Sequence, residues 1–481
     1  MTDVAETELL IIGAGPSGLV AAITAAKYGI EVVVAEQRAG GSSLSRALVV
    51  STRGMELMRR MGLEPSVRAG AADAETTALV TETLASADGS VIPLGLPSDA
   101  EAAQASPSRP AWAPQSHYEP LLVSQLHAAP TATVRFGTRL VGLGEGDGGF
   151  RATLLDVGSG TRHVVEARVV IGADGAHSAV RNELSILMEG SDDLGDCERV
   201  EFVASLDAVV GARAHALYVL KHPDVDGAVL ARRGREDRWS LSRERARDAA
   251  GMQDLSEDDL VALIRTATGV ADLELTVDRL SRFNFAAQIA EHYRRGNALL
   301  IGDAAHRMTP RGGTGMNTGI QDGFDIAWKL GWVLRGWAGP QLLDTYEAER
   351  RPIGLHNVGR SAQPGGARSS TDEALSWDLD GRVAHAWLDC DGARVSTIDL
   401  IGDGLTLFTA ADRPEWTSVT APTGWAAPLK VVVLDIETAD AIDLPPAGAL
   451  LVRPDGHEVA RWPAADAPPQ PGPAWPAPAQ A

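Results

Sequence analysis

With 481 residues, 44% of them hydrophobic and 22% charged, the chain has the make-up of a globular protein of two or three domains. Its net charge of −21 argues against a nucleic-acid surface, which needs clustered cations, and against an anionic membrane surface. Cys197 and Cys390 make neither a Cys-x-x-Cys nor a disulfide framework. No apolar run reaches the ~18 residues of a membrane helix, and Asp3, Glu6 and Glu8 stand where a basic leader would be, so a cytoplasmic protein is expected.

In chain order, Leu9 to Ile12 reads as a strand. Gly13-Ala14-Gly15-Pro16-Ser17-Gly18 follows and opens a helix with Leu19, Ala22, Ile23 and Ala26 on one face, ended by Gly29. A second strand, Glu31 to Ala35, closes on Glu36 and Gln37. A Gly-x-Gly-x-x-Gly turn inside a βαβ unit, with an acid about twenty residues on, is a dinucleotide-binding pattern. Gly13 makes the turn, Gly15 admits a pyrophosphate, and Gly18 lets helix pack on strand. Glu36 accepts from both ribose hydroxyls and repels a 2′-phosphate, so FAD or NAD suits this site and NADP does not.

A polar loop, Gly40 to Arg46, precedes an apolar-periodic segment, Leu48 to Met61. Residues 71–106 are rich in Ala, Ser, Thr and Asp, with strand character near Thr77 to Leu84. After the proline-rich break Pro107 to Pro114, Gln115 to Leu126 reads as a helix and Thr133 to Leu143 as a strand. Phe150 to Leu155 with His163 to Ile171 reads as a hairpin. Val169-Val170-Ile171-Gly172-Ala173-Asp174-Gly175 is an apolar strand ending in an acidic turn, with Ser178 and Arg181 on a short helix beyond it. Arg199 to Leu220, Gly227 to Leu230 and Leu273 to Phe285 are strand-like and enclose a helix, Ser256 to Thr266, capped by Ser256. This block reads as a second, sheet-based domain inserted into the first.

Ala298 to Ile301 is a buried strand, and Gly302 to Asn317 is the stretch around which the chain is organised. Asp303 ends the strand where a carboxylate accepts from sugar-like hydroxyls. Pro310 fixes the loop, and Gly312, Gly313 and Gly315 let backbone approach a flat ligand. A helix follows, with Ile320, Phe324, Ala327, Trp328, Gly331 and Leu334 on its apolar face. Its first N–H groups favour negative charge, which an isoalloxazine ring gains at N1 and O2 on reduction. His306, near Asp303, reads as a satisfied structural histidine in preference to a general base. Leu342 to Arg351 is a helix and Ser361 to Thr371 a linker. Val395 to Leu400, Leu405 to Phe408, Leu429 to Leu434 and Ala449 to Val452 are strands of a C-terminal module, and the Pro/Ala-rich end from Trp462 reads as disordered.

The three motifs, Gly13 to Gly18 with Glu36, Ala173-Asp174-Gly175-x-x-Ser178-x-x-Arg181, and Gly302-Asp303 through Asn317, resemble in order and spacing the single-component FAD-dependent aromatic hydroxylases. Within that family the chain is similar to the actinomycete aromatic-polyketide hydroxylases, through Tyr218 to Gly227, Ala290 to Gly296 and the C-terminal Leu451-Val-Arg-Pro-Asp-Gly456. The resemblance implies an α/β chain. Its FAD-binding domain would comprise residues 1–180 and 285–360, with an inserted substrate-binding β-sheet domain at 181–284 to which 76–106 contribute. A linker at 361–380, a thioredoxin-like domain at 381–465 without redox cysteines, and a disordered tail at 466–481 would complete it.

Carried over by motif, Gly13, Gly15, Pro16, Ser17 and Gly18 would hold the pyrophosphate, and Glu36 with Gln37 the ribose. Arg46 would lie beside the flavin, the one candidate for a catalytic side chain; Gln115 would touch the ribityl region and the Leu140 backbone adenine. Asp174 would serve FAD and the NADPH path, Asp303 would bind the ribityl chain, and Pro310, Gly313, Thr314, Gly315, Met316 and Asn317 would form the flavin-ring loop. Thr314 departs from the glutamine frequent there; it keeps a hydroxyl but loses reach.

The implied activity is hydroxylation of a polycyclic, polyketide-like phenol. Non-covalent FAD, NADPH or NADH, and O₂ would act through a flavin C4a-hydroperoxide, with no metal. The substrate would lie between the flavin and the sheet of 181–284, since no fixed cationic clamp for a small carboxylate is evident. Baeyer–Villiger oxygenation, epoxidation or reduction on the same fold, and a non-catalytic flavin-binding accessory protein, are the alternatives. No Trp-x-Trp-x-Ile halogenase motif occurs.

Overall fold

The computed structural model describes residues 4–41, 47–72, 74–211, 215–231, 237–245, 251–363, 370–390, 392–410, 416 and 426–463. Arg46 and the 466–481 tail lie outside these residues.

The first sheet has eight strands. Five run parallel in the order Ala298–Leu300, Arg162–Gly172, Val4–Ile12, Val32–Glu36, Ala132–Phe136. Leu9, Leu10, Ile11, Val170, Ile171, Leu299 and Leu300 are fully enclosed, as near-continuous apolar runs in a parallel sheet must be. Because these strands are parallel, the turns leaving Ile12, Glu36, Gly172 and Leu300 open at one edge, where ligands of open α/β sheets bind. The stretch expected to form one strand over Thr133 to Leu143 is two, Ala132–Phe136 and Thr138–Gly146. Gly137, at φ +66°, turns the chain between them.

Helices Pro16–Lys27 and Gly315–Leu334 pack closely on one side of this sheet. A Cβ on Gly319 would lie 2.3 Å from Ser17 Oγ, one on Gly323 2.4 Å from Ser17 O, and one on Gly331 2.5 Å from the Tyr28 ring. Small residues on this face therefore set how near the two helices come.

The second sheet has seven strands in the order Thr276–Asn284, Asp196–Val203, Arg238–Arg245, Val225–Ala231, His215–His222, Glu75–Thr81, Ser90–Pro93. One face, carrying Val200, Phe202, Tyr218, Leu220, Val229 and Leu241, buries itself against Leu260 and Ile264 of helix Glu257–Thr268. Ser256 caps that helix through a capping box with Asp259, and Gly269 ends it in the left-handed region. The alternate residues, among them Arg199, Leu217, Val219 and Ser242, face a cavity.

At the C-terminal end, Leu429–Leu434, Leu405–Ala410, Ala449–Val452 and Glu458–Trp462 form a mixed four-stranded sheet; the first pair is parallel and the rest antiparallel. The segment read as a linker at 361–380 contains the end of helix Asp344–Ala362 and a further helix, Thr371–Leu379. Asp378 of that helix accepts from Ser51 Oγ (2.7 Å), Arg53 N (2.9 Å) and Gln321 Nε2 (3.0 Å), so the segment is held against helices Thr52–Arg60 and Gly315–Leu334. No described helix is long and apolar enough to cross a membrane.

Candidate functional site

A single cavity of about 2180 Å³ runs from the glycine turn of the first strand to the open face of the seven-stranded sheet. Its size exceeds that of a drug-sized ligand pocket, ~300–1000 Å³.

At one end lie Gly13, Gly15, Pro16 and Ser17. Gly13 has φ +109°, and a Cβ there would strike Ala173 O at 2.3 Å; a Cβ on Gly18 would strike Gly13 O at 2.1 Å. Gly13 and Gly18 thus make the tight turn and the close helix–strand packing, and Gly18 does not line the cavity. Gly15 differs: a Cβ there would meet nothing within 4 Å. Gly15 is the N-cap of helix Pro16–Lys27 and offers no capping side chain, so the helix N-terminus opens onto the cavity.

Glu36 is buried at the cavity wall. Its Oε2 accepts from Ala14 N (2.9 Å) and its Oε1 from Arg38 N and Nε (both 2.9 Å). Burial pushes the carboxyl up, but the bonds from Arg38 and Ala14 outweigh it and hold it below the ordinary carboxylate range. Gln37 and Leu140 also line this end. Gln115 does too, with its Nε2 bonded to Glu119 Oε2 at 2.6 Å.

Asp174 is turned largely to structure. It accepts from Ser178 Oγ (2.5 Å), Ala179 N (2.6 Å) and Val180 N (3.1 Å), bracing the start of helix Ala179–Glu183. Burial raises its pKa against those bonds. Asp303 follows the strand Ala298–Leu300 and presents an exposed carboxylate to the same cavity.

The loop Pro310 to Asn317 forms the next wall. Gly312 and Gly313 have φ of +85° and +63°, and a Cβ on Gly313 would lie 3.3 Å from Val49 Cγ1. Pro310, Gly315 and Met316 line the cavity; the Thr314 hydroxyl turns instead to Met308 Sδ at 3.6 Å. Thr314 makes no side-chain cap for helix Gly315–Leu334, so a second uncapped helix N-terminus meets the cavity. The Asn317 side chain is spent on the protein: Oδ1 accepts from Ser51 N (2.9 Å), and Nδ2 donates to Gly313 O (3.0 Å) and Val49 O (3.2 Å). Asn317 braces the loop against the segment Val49 to Ser51.

Beyond the loop the cavity is walled by Val80, Ile92, Leu217, Val219, Phe283 and Phe285, with Arg199 among them. Arg311 crosses the gap, with Nη2 on Glu244 Oε1 at 2.6 Å and its guanidinium 5.2 Å from the Phe285 ring centre. These sheet residues were not singled out from sequence, although polar and apolar residues alternate along Arg199 to Phe202, a short period-two signal.

Residues 6–361 match the family model described as FAD binding domain, and 379–474 that described as aromatic-ring hydroxylase, C-terminal. The chain therefore belongs to the FAD-dependent aromatic-ring monooxygenases. It is 32% identical to the tetracenomycin B2 monooxygenase-dioxygenase of Streptomyces olivaceus, over 94% of this chain and 95% of that protein. It is 33% identical to the aklavinone 12-hydroxylase of Streptomyces peucetius, over 85% and 93%. Its structure is similar to that of aklavinone-11 hydroxylase with FAD and aklavinone, with a TM-score of 0.86, 28% identity and 97% of each chain covered. The α/β fold and FAD binding expected from sequence are those of this family.

Proposed function

We propose that the protein hydroxylates a polycyclic, polyketide-like phenol, using FAD and a reduced nicotinamide. The observation that carries this reading is the continuity of the cavity. Two uncapped helix N-termini and a glycine loop at one end lead without a break to a sheet face at the other, where Leu217, Val219, Phe283 and Phe285 stand among polar and charged residues.

The residues fit an extended dinucleotide. The space beside Gly15 and the N–H groups opening helix Pro16–Lys27 suit a pyrophosphate. Glu36 suits the ribose, the Leu140 backbone adenine, Gln115 and Asp303 the ribityl chain, and the loop Pro310 to Met316 the flavin ring. Asn317 holds that loop in shape. When bound, FAD would supply the redox chemistry, accepting a hydride from NADPH or NADH and passing one oxygen atom of O₂ to the ring.

The chain's own part is to bind and exclude. The N–H groups at Gly315 and Met316 favour negative charge near the loop. Val80, Ile92, Leu217, Val219, Phe283 and Phe285 hold a flat substrate by apolar area, at ~25 cal/mol per Å² before the losses of association. The same walls keep water from the reacting atoms. Hydroxylation is preferred to the other flavin reactions on this fold because two relatives matched over most of their length are named a tetracenomycin B2 monooxygenase-dioxygenase and an aklavinone 12-hydroxylase.

The test is NADPH and NADH consumption by holoenzyme with a panel of hydroxyanthraquinones and naphthols, and with 4-hydroxybenzoate as a single-ring control. Consumption should rise with the polycyclic phenols and yield a product heavier by one oxygen. Faster and more tightly coupled turnover of the single-ring acid would overturn the polyketide assignment. Consumption with no oxygenated product from any phenol would overturn hydroxylation.

A further inference from the structure

Arg199 stands in strand Asp196–Val203 with its side chain on the cavity face of the seven-stranded sheet. Across the neighbouring strands its partners in register are Ser242 on one side and Ser281 on the other, both small, neutral and lining the same cavity. Arg199 Nε donates to Ser242 Oγ at 3.1 Å, its hydrogen bond among the described residues. The guanidinium lies 5.1 Å from the centre of the Phe283 ring.

Four other cations of this cavity are matched by carboxylates: Arg38 by Glu36, Arg282 by Asp196, Lys221 by Asp226 and Arg311 by Glu244. Arg139, Arg243 and Arg307 also line it without an ion pair among the described residues, but desolvation by burial marks Arg199 out from them. Arg199 makes no ion pair among the described residues. The ionisable groups acting on it are Cys197 and Glu201 of its own strand, against burial, which pulls its pKa down. Facing it from the adjoining elements are Glu244, opposite Cys197, and Arg279, opposite Glu201. A desolvated guanidinium without a counter-ion is costly unless a ligand supplies the charge. Its Nε bond to Ser242 and its seat over Phe283 orient the group, leaving both Nη atoms for an acceptor in the cavity.

Resting on the reading of the cavity as a site for a polycyclic phenol, we propose that Arg199 binds an ionised phenolic oxygen of the substrate and favours its phenolate form. The O–H proton is released to solvent, and the ring that keeps the electron pair is the more nucleophilic toward an oxygen donor. A fixed cation at this place was not apparent from the sequence, where Arg199 is one charge among several in a strand-like run.

The probe is alizarin, a hydroxyanthraquinone whose absorption moves to longer wavelength on ionisation, titrated with FAD-loaded protein between pH 5 and 10. Wild type should lower the ionisation midpoint of bound alizarin by about one pH unit or more, as a nearby opposite charge does. It should therefore bind the phenolate about tenfold more tightly than the phenol. Arg199→Gln should return the midpoint to that of free dye while FAD content and far-ultraviolet circular dichroism stay unchanged; Arg199→Lys should restore part of the shift. Equal midpoints for bound alizarin in wild type and Arg199→Gln would overturn the role of Arg199 and leave the aromatic-substrate reading standing. If neither alizarin nor any other polycyclic phenol binds the wild-type holoenzyme, both fall. If Arg199→Gln loses FAD or its fold, the comparison of wild type with Arg199→Lys decides, an unchanged midpoint counting against the proposal.

Discussion

His306 Nε2 lies 2.7 Å from Asp322 Oδ2, and both side chains are wholly enclosed. The same carboxylate accepts from Arg350 Nε (3.0 Å) and from Gly302 N (3.2 Å). Asp322 thus ties the turn at Gly302, the strand His306–Arg307 and helix Asp344–Ala362 to helix Gly315–Leu334. His306 does not line the cavity, which favours its structural role over general-base catalysis.

Replacing Asp322 by Ala would leave Arg350 and His306 inside without their shared anion, at a cost of ~3–5 kcal/mol. Burial pushes the Asp322 carboxyl up, but His306 and Arg350 outweigh it, so its pKa in the fold lies below 3.8. Its stabilisation is therefore present above that ordinary value and lost as pH falls through the lower folded one. Urea midpoints taken from pH 6 downward should fall more steeply for wild type than for Asp322→Asn below about pH 4. Parallel slopes would contradict this assignment.

Gly313 combines φ +63° with a wall 3.3 Å from where its Cβ would stand. Gly313→Ala should cost ~1–2 kcal/mol of local strain, and Gly313→Arg should abolish flavin-dependent turnover while the sheets still fold. Normal coupled turnover by the Arg variant would show that this loop does not face the ring.

Asp303 and Asp174 should separate in their effects. Asp303 is exposed to the cavity, so Asp303→Ala should weaken FAD retention by roughly tenfold to a hundredfold, the worth of a hydrogen bond to a charged group. Asp174 is engaged by Ser178, Ala179 and Val180, so Asp174→Ala should lower the melting temperature at least as clearly as it weakens FAD binding. Flavin fluorescence during equilibrium dialysis and a thermal melt of each variant check both. Full FAD retention by Asp303→Ala would remove the ribityl assignment.

His457 sits between Asp455 (3.3 Å) and Asp380 (3.5 Å), just before strand Glu458–Trp462 of the C-terminal sheet. Burial pulls its pKa down, but the two carboxylates outweigh it and raise it from 6.5 to about 9. Its stabilisation is present in full below 6.5 and lost as pH rises through about 9. The melting temperature of wild type should decline across that window, and that of His457→Gln should start lower and decline less. Identical profiles would exclude His457 as the titrating group.

The dinucleotide turn, the acid after the second strand and the glycine-rich loop before the long helix were legible in the sequence. Their signal is local: Gly13, Gly15 and Gly18 stand at fixed spacing in one turn, Glu36 ends the next strand, and Gly313 sits in one glycine-rich loop, so short-range spacing carries that information even where their contacts, such as Gly13 with Ala173, are distant in sequence. The helix at Ser256 was legible for the same reason, its cap and first-turn acids lying within four residues. What adjoining residues cannot encode is which side chains meet across strands. Asp322 reaches His306 sixteen residues back and Arg350 twenty-eight residues on. The helix hidden in the apparent linker is held by Ser51, more than three hundred residues away. Arg199 became distinct from its charged neighbours only when the register set it between Ser242 and Ser281, over Phe283 and facing the cavity. Strand alternation sends it to one face of a sheet, but whether that face meets helix or open space depends on how the two sheets are placed, and only the tertiary structure decides that.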